Sequence, residues 1–410
     1  MSRQLFNIIL FFLPFVCSAQ YTVQEYYEFL EELKQSPKDY IFDLFKTNDI
    51  VILGERDHRE TTQYDLILEI LKDNRFINEI GHVYTEVGVV NQTNRGNIVV
   101  KGDYTKQEEF EKELVLLYRE LDYNALWDKY NMIKYLKGVY AINKDLSIQE
   151  KITIGFTDCF FEWEGMTREK YLDFERKYLS TSNTRDSIMA YNFIELYEKQ
   201  RPINGHKKAL YIQNRPHAEK IDDIIGNLKV KTVGGYLKEK YRHQVKIVAL
   251  NWYNYESENS KSPEYGKGHK IELSNEGKWD AAFELTGNKP IGFTLKETPF
   301  GQTHFDYPYG DDDKVLYQDR LDGIVFYKPF YEFSCTRGLP GIVDKRFAKE
   351  LIHRQIISGV YEEGEHYGIE DEIEDWESFR TYDCVDYSTM IQQMTKWLDK
   401  ETRGSKNHLL

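Results

Sequence analysis

The chain has 410 residues, enough for a large buried core and for one to three domains. Hydrophobic residues at 41% and charged residues at 30% exclude a disordered chain. A net charge of −14 with no basic stripe excludes a nucleic-acid partner, which would require a cationic footprint.

Residues 1–19 read as a signal peptide. Arg3 gives the positive end, residues 5–16 the apolar run, and Cys17-Ser18-Ala19 a small-residue cleavage site before Gln20. Pro14-Phe15-Val16 lacks the small residues that a lipid-anchor site at Cys17 prefers, which argues against lipidation. The expectation is an exported, periplasmic or secreted protein with no transmembrane segment. Three cysteines remain after cleavage, Cys159, Cys335 and Cys384, so at most one disulfide forms and one thiol stays free.

Apolar residues at helical spacing open the mature chain over residues 25–33. Ile50-Val51-Ile52-Leu53 reads as a short buried strand, followed by a glycine turn and a helix opening near Glu60. Residues 82–86 form a second strand ending at Glu86. The long helical periodicity of residues 106–142 predicts a helical insertion walling one side of a cleft. A third strand, 152–156, leads into Asp158. Residues 184–199 form a helix with Thr184 as N-cap. The fourth strand, 209–212, runs into Gln213-Asn214-Arg215-Pro216-His217, and the fifth, 245–250, follows a helix opened by Gly234-Gly235. Residues 251–280, polar and glycine-containing, read as a long surface loop. Strands at 291–293 and 323–326 and a helix at 345–357 complete the pattern.

Strands alternating with helices predict an α/β fold, a mostly parallel sheet with helices on both faces. One domain is expected over residues 20–360, carrying the insertion near 106–142. An acidic segment, 361–410, is packed on it or trails from it.

At least four of these strands end in groups able to do chemistry: Glu55 with His58, Glu86, Asp158, and Asn214 with His217. In a parallel sheet such ends converge on one edge, where open α/β sheets bind their ligands. The competing account is that loops are polar and that Asp and Asn often cap the next helix. A histidine beside carboxylates can take a proton from water near neutral pH. The same residue types can also hold a divalent ion, so His58, Glu86 and His217 are the metal-ligand candidates if a metal is used. No Gly-x-Ser-x-Gly elbow, P-loop or Gly-x-Gly-x-x-Gly follows a strand, which disfavours serine-hydrolase, nucleotide and dinucleotide chemistry.

At these residues the sequence resembles the erythromycin esterase-like superfamily, with its ChaN-like haem-binding and TraB/TIKI-like relatives. Three blocks carry the likeness: Leu53-Gly54-Glu55-Arg56-Asp57-His58 with Glu86 after it; Arg185-Asp186-Ser187-Ile188-Met189-Ala190-Tyr191-Asn192; and residues 209–217 ending in Gln213-Asn214-Arg215-Pro216-His217. The resemblance implies a hydrolase in which His58 is the general base, Glu86 orients it, and Glu55 and His217 complete the polar floor. It places Arg185, Asn192, Asn214 and Asp158 at the substrate. Where the family has small residues after Gly-Glu, this chain has Arg56 and Asp57, which would crowd or recharge the mouth of the site. Gln213 replaces a histidine, Pro216 is an added residue and Tyr191 replaces a glutamate.

The leading expectation is water activated by His58 and Glu86 to cleave an ester or amide in a small-molecule or peptide substrate, with no cofactor required. The alternatives are a non-catalytic protein holding haem or another small ligand at the same edge, and a metal-dependent peptidase.

Overall fold

The computed structural model describes residues 21–179, 182–220, 223–225, 228–257, 269–306, 315–362, 364 and 367–407. The expected signal peptide lies outside them. The centre is a seven-stranded sheet of β1 (Ile50–Glu55), β2 (His82–Val89), β3 (Thr153–Asp158), β4 (Ala209–Asn214), β5 (Val245–Leu250), β6 (Ile291–Thr294) and β7 (Gly323–Phe326). Their order across the sheet is β6-β7-β5-β1-β4-β2-β3. All neighbours run parallel except β6 on β7.

Every residue of β1 is buried. Side chains alternate across a strand, so Val51 and Leu53 join one apolar core and Ile50 and Ile52 the other. Two cores, one per face, are what turn a four-residue apolar run into a strand covered on both sides. The α/β class and the mostly parallel sheet are as the sequence predicts.

Helices Gln107–Tyr118 and Tyr130–Lys144 occupy the stretch read as a helical insertion. The turn between them carries Asp122, Tyr123 and Trp127 toward the carboxyl edge of the sheet. Downstream, Ile369–Glu377 docks on Lys345–Ser358 through Glu372, which accepts from Gln355 Nε2 at 3.0 Å and Trp376 Nε1 at 2.7 Å.

Three local expectations give way. Residues 251–280 are not one loop: Tyr253–Ser257 and His269–Leu273 form an antiparallel hairpin, and Lys278–Leu285 is a helix. Tyr253, Leu273, Trp279 and Phe283 are buried, so a few apolar anchors among polar neighbours suffice to fix the segment. Thr184 does not cap its helix, which begins at Ser182. The helix after β1 begins at Gln63 rather than Glu60, because Glu60 is drawn inside by Arg56.

Cys335 and Cys384 form a disulfide, and Cys159 is free and buried. No helix among the described residues is long and apolar enough to cross a membrane.

Candidate active site

The register of the sheet sets the site. β1 and β4 pair so that Glu55 lies opposite Asn214. β2 pairs regularly with β3 up to Thr85, then slips before Val89. The slip is a bulge, a device that re-aims a side chain at a strand end. Gly88 within it has φ +111°, and a Cβ there would lie 2.6 Å from the Phe156 ring, so only glycine fits. The bulge leaves Glu86 unpaired in the ladder and turned to the carboxyl edge.

Glu86 is the hub. Its Oε2 accepts the backbone N–H of Asn214 at 2.7 Å. Its Oε1 lies 3.1 Å from Arg185 Nη2, 3.8 Å from His58 Nε2 and 3.7 Å from His217 Nε2. Behind each imidazole stands a second carboxylate: Glu55 Oε1 is 2.6 Å from His58 Nδ1, and Asp186 Oδ1 is 2.7 Å from His217 Nδ1. The result is nearly symmetric, two carboxylate–imidazole pairs facing one central carboxylate.

Arg185 closes the arrangement. It donates to Asp158 at 2.7 and 3.2 Å, and its Nη1 approaches His217 Nε2 at 3.3 Å. Asn192, two turns along the same helix, donates to the carbonyls of Thr157 and Asp158 at 2.9 and 3.0 Å, pinning that helix to the end of β3. Asn192 therefore braces the site by backbone contacts. Asn214 likewise donates its side chain to the Arg56 carbonyl at 3.1 Å.

Exposure separates tips from supports. The side chains of His58, His217 and Arg185 are 20%, 23% and 19% exposed, whereas Glu55, Glu86, Asp158 and Asp186 are at most 3%. Solvent or substrate can reach the nitrogens, and the carboxylates hold them from below.

The charges follow from this geometry. Burial opposes the His58 cation, but Glu55, Glu86 and Asp57 outweigh it and push its pKa up to about 9. Burial likewise opposes the His217 cation; Glu86 and Asp186 outweigh it, against the nearby Arg185, and the pKa is raised. Glu86 is itself desolvated, yet His217, Arg185 and His58 hold its pKa down to about 2. Glu86 is thus a permanent anion between two groups that carry the mobile protons.

All eight residues singled out from the sequence, Glu55, His58, Glu86, Asp158, Arg185, Asn192, Asn214 and His217, come together at this edge. Sequence reasoning missed Asp186, although it is the neighbour of Arg185 in the quoted block. It also missed Trp127, whose ring meets the His58 ring edge-on at 5.3 Å from an irregular turn. Nothing in local sequence marks Trp127.

The departures at Arg56 and Asp57 do not crowd the mouth. Arg56 turns inward, pairing with Glu60 at 2.9 Å, donating to Asn251 at 2.7 Å and lying 3.8 Å over the Phe333 ring. Asp57 is held by Arg59 at 2.5 Å.

Among the described residues no group of three or more His, Cys, Asp or Glu side chains is placed to hold a metal ion. The guanidinium of Arg185 already occupies the cation's position at Glu86 Oε1.

With the geometry in place, solved structures offer a comparison. A Bacillus cereus protein matches 74% of this chain and 97% of its own at 13% identity, with a TM-score of 0.50. A succinoglycan biosynthesis protein matches 75% and 96% at 14% identity and a TM-score of 0.49. A variant of the erythromycin esterase EreC in its open conformation matches 70% and 91% at 12% identity and a TM-score of 0.46. The likeness is one of fold. No protein-family model and no curated protein matches the chain in sequence.

Proposed function

We propose that the chain is an exported hydrolase, erythromycin esterase-like, that activates water to cleave an ester or amide. One observation carries the reading: both imidazole Nε2 atoms face a single oxygen of Glu86, and each ring is backed by its own carboxylate. A water bound at the rim gives its proton to His58. Glu55 and Glu86 stabilise the imidazolium that forms. Arg185, partly exposed beside Glu86, stabilises the oxyanion that develops on the carbonyl. The three sequence blocks support the same family. The Cys335–Cys384 disulfide supports export, because such bonds persist in oxidising compartments.

His58→Ala tests the proposal on a panel of esters and amides. The expected loss in kcat/KM is roughly 10²- to 10⁴-fold, the range of a positioned acid–base group. Because the His58 pKa is raised, its base form grows as pH rises toward about 9, so the wild-type rate has a rising limb that the variant lacks. Undiminished hydrolysis in His58→Ala sinks the mechanism. A Soret band in protein from haem-replete cells, with no turnover of any probe, replaces hydrolysis with the ligand-binding reading.

A further inference from the structure

The His58 half of the site has a near mirror image that the hydrolase reading leaves without a role. His217 stands on the other side of Glu86 Oε1, at 3.7 Å against 3.8 Å for His58. Its Nδ1 lies 2.7 Å from Asp186, just as the Nδ1 of His58 lies 2.6 Å from Glu55. Asp186 is 2% exposed, and its other oxygen accepts the backbone N–H of Val233 at 3.3 Å, so the carboxylate is fixed by a neighbouring helix. A buried carboxylate at Nδ1 sets an imidazole's orientation and places its other nitrogen at the reacting atoms.

Resting on the hydrolase reading, we propose that Asp186 is the positioning residue of a second proton-transfer unit, in which His217 hands a proton to the leaving atom. The water oxygen bonds to the carbonyl carbon as its proton passes to Nε2 of His58, and the carbonyl electron pair moves onto oxygen. Collapse re-forms the carbonyl and breaks the bond to the leaving oxygen or nitrogen, which takes the Nε2 proton of His217. The products are a carboxylic acid, which loses its proton to solvent, and a neutral alcohol or amine. His58 ends one proton richer and His217 one poorer. Glu86 stays ionised throughout, and both rings, each about one-fifth exposed, reset their protons by exchange with solvent.

The groups facing His217 are Glu86 and Asp186, which favour its cation, and Arg185, which opposes it. A guanidinium only donates, so the 3.3 Å approach of Arg185 to Nε2 must lengthen whenever that nitrogen is protonated. Arg185 and His217 therefore move apart during turnover.

The test compares 4-nitrophenyl butyrate, whose leaving group departs unprotonated, with ethyl butyrate, whose leaving group needs a proton. In Asp186→Asn, kcat on ethyl butyrate is expected to fall on the order of a hundredfold, and at least about tenfold further than on the nitrophenyl ester. The falling limb of the pH–rate profile moves to lower pH, and Asp186→Glu recovers most of both effects. Equal losses on the two esters overturn the proposal. Nitrogen NMR of the imidazoles in the full chain provides a readout independent of turnover. The His217 titration midpoint falls in Asp186→Asn and returns in Asp186→Glu; an unmoved midpoint also overturns it. Full activity in His58→Ala, by contrast, defeats the assignment of His58 as general base while leaving the Asp186–His217 pairing to be judged by NMR.

Discussion

Glu55 and His58 enter one ion network at the end of β1, while Arg56, between them in sequence, enters another. The first is open: its histidine and arginine side chains are about one-fifth exposed, and the imidazoles stop 3.7 and 3.8 Å short of Glu86. The second is closed: Arg56 and Glu60 are 3% and 1% exposed, and the guanidinium donates to Glu60, Thr62 and Asn251. A similar pair of networks leaves β4. His217 joins the open one, and Arg215, two residues earlier, joins Glu219 and Arg320 in a buried cluster beneath Trp252. In each case near neighbours in sequence point to different places, one set toward solvent and chemistry, the other into the wall. Closed networks of this kind have hydrogen-bond partners for their charges already; open ones have unused reach, which a substrate can take up.

Breaking the closed network should cost stability first. Arg56→Ala leaves Glu60 buried without its cation, and removing one partner of a buried pair costs about 3–5 kcal/mol. Chemical denaturation measures it; a loss below about 1 kcal/mol would place Arg56 with the exposed pairs instead. Next in size is the disulfide. Ser334 donates its N–H to Glu60, and Thr61 donates to the Ser334 carbonyl at 2.8 Å, so Cys335–Cys384 pins the strand Ser334–Arg337, which follows the Phe333 ring stacked on Arg56. The bond closes a separation of 49 residues, and replacing both cysteines by serine is expected to cost about 2–4 kcal/mol. The two losses should be less than additive, since they weaken one structure. Strict additivity would show that the strand and the ion pair are independent.

The sheet was legible because its signal is local. Four-residue apolar runs such as Ile50–Leu53 and Ala209–Ile212 are too short and too β-branched or aromatic to be anything but buried strands between helical periods. The site was legible for the same reason: its residues are the first polar groups after those runs. What escaped has no such marker. Arg56 and Asp57 look like surface charges until Asn251, nearly 200 residues away, is seen to supply the partner for Arg56. Trp127 reaches His58 from a turn without regular structure. Asp186 sits beside Arg185 yet serves the other histidine, and only the packing of its helix against the end of β3, which brings it to His217, reveals it. The hairpin at 253–273 was hidden because its sequence is polar and carries no run of apolar residues.

The smallest expected effect concerns the open network's own contribution to stability. The His58 pKa is raised to about 9 in the folded chain from 6.5 when free, so folding favours the protonated ring. That contribution is fully present below pH 6.5 and is lost as pH climbs through 9. It amounts to at most about 3–4 kcal/mol at about 1.4 kcal/mol per pKa unit, less what partial exposure and solvent screening remove. Glu86 works in the opposite sense: held down to about 2, it stabilises the fold above pH 4.5 and ceases to as pH falls through 2. Unfolding free energy should therefore peak between roughly pH 4.5 and 6.5 for this pair. In His58→Ala the decline between pH 6.5 and 9 should flatten, while the closed network's share stays constant because Arg56 keeps its charge throughout. Parallel wild-type and variant curves across that range would mean that His58 keeps an ordinary pKa, and that the open network differs from the closed one in exposure alone.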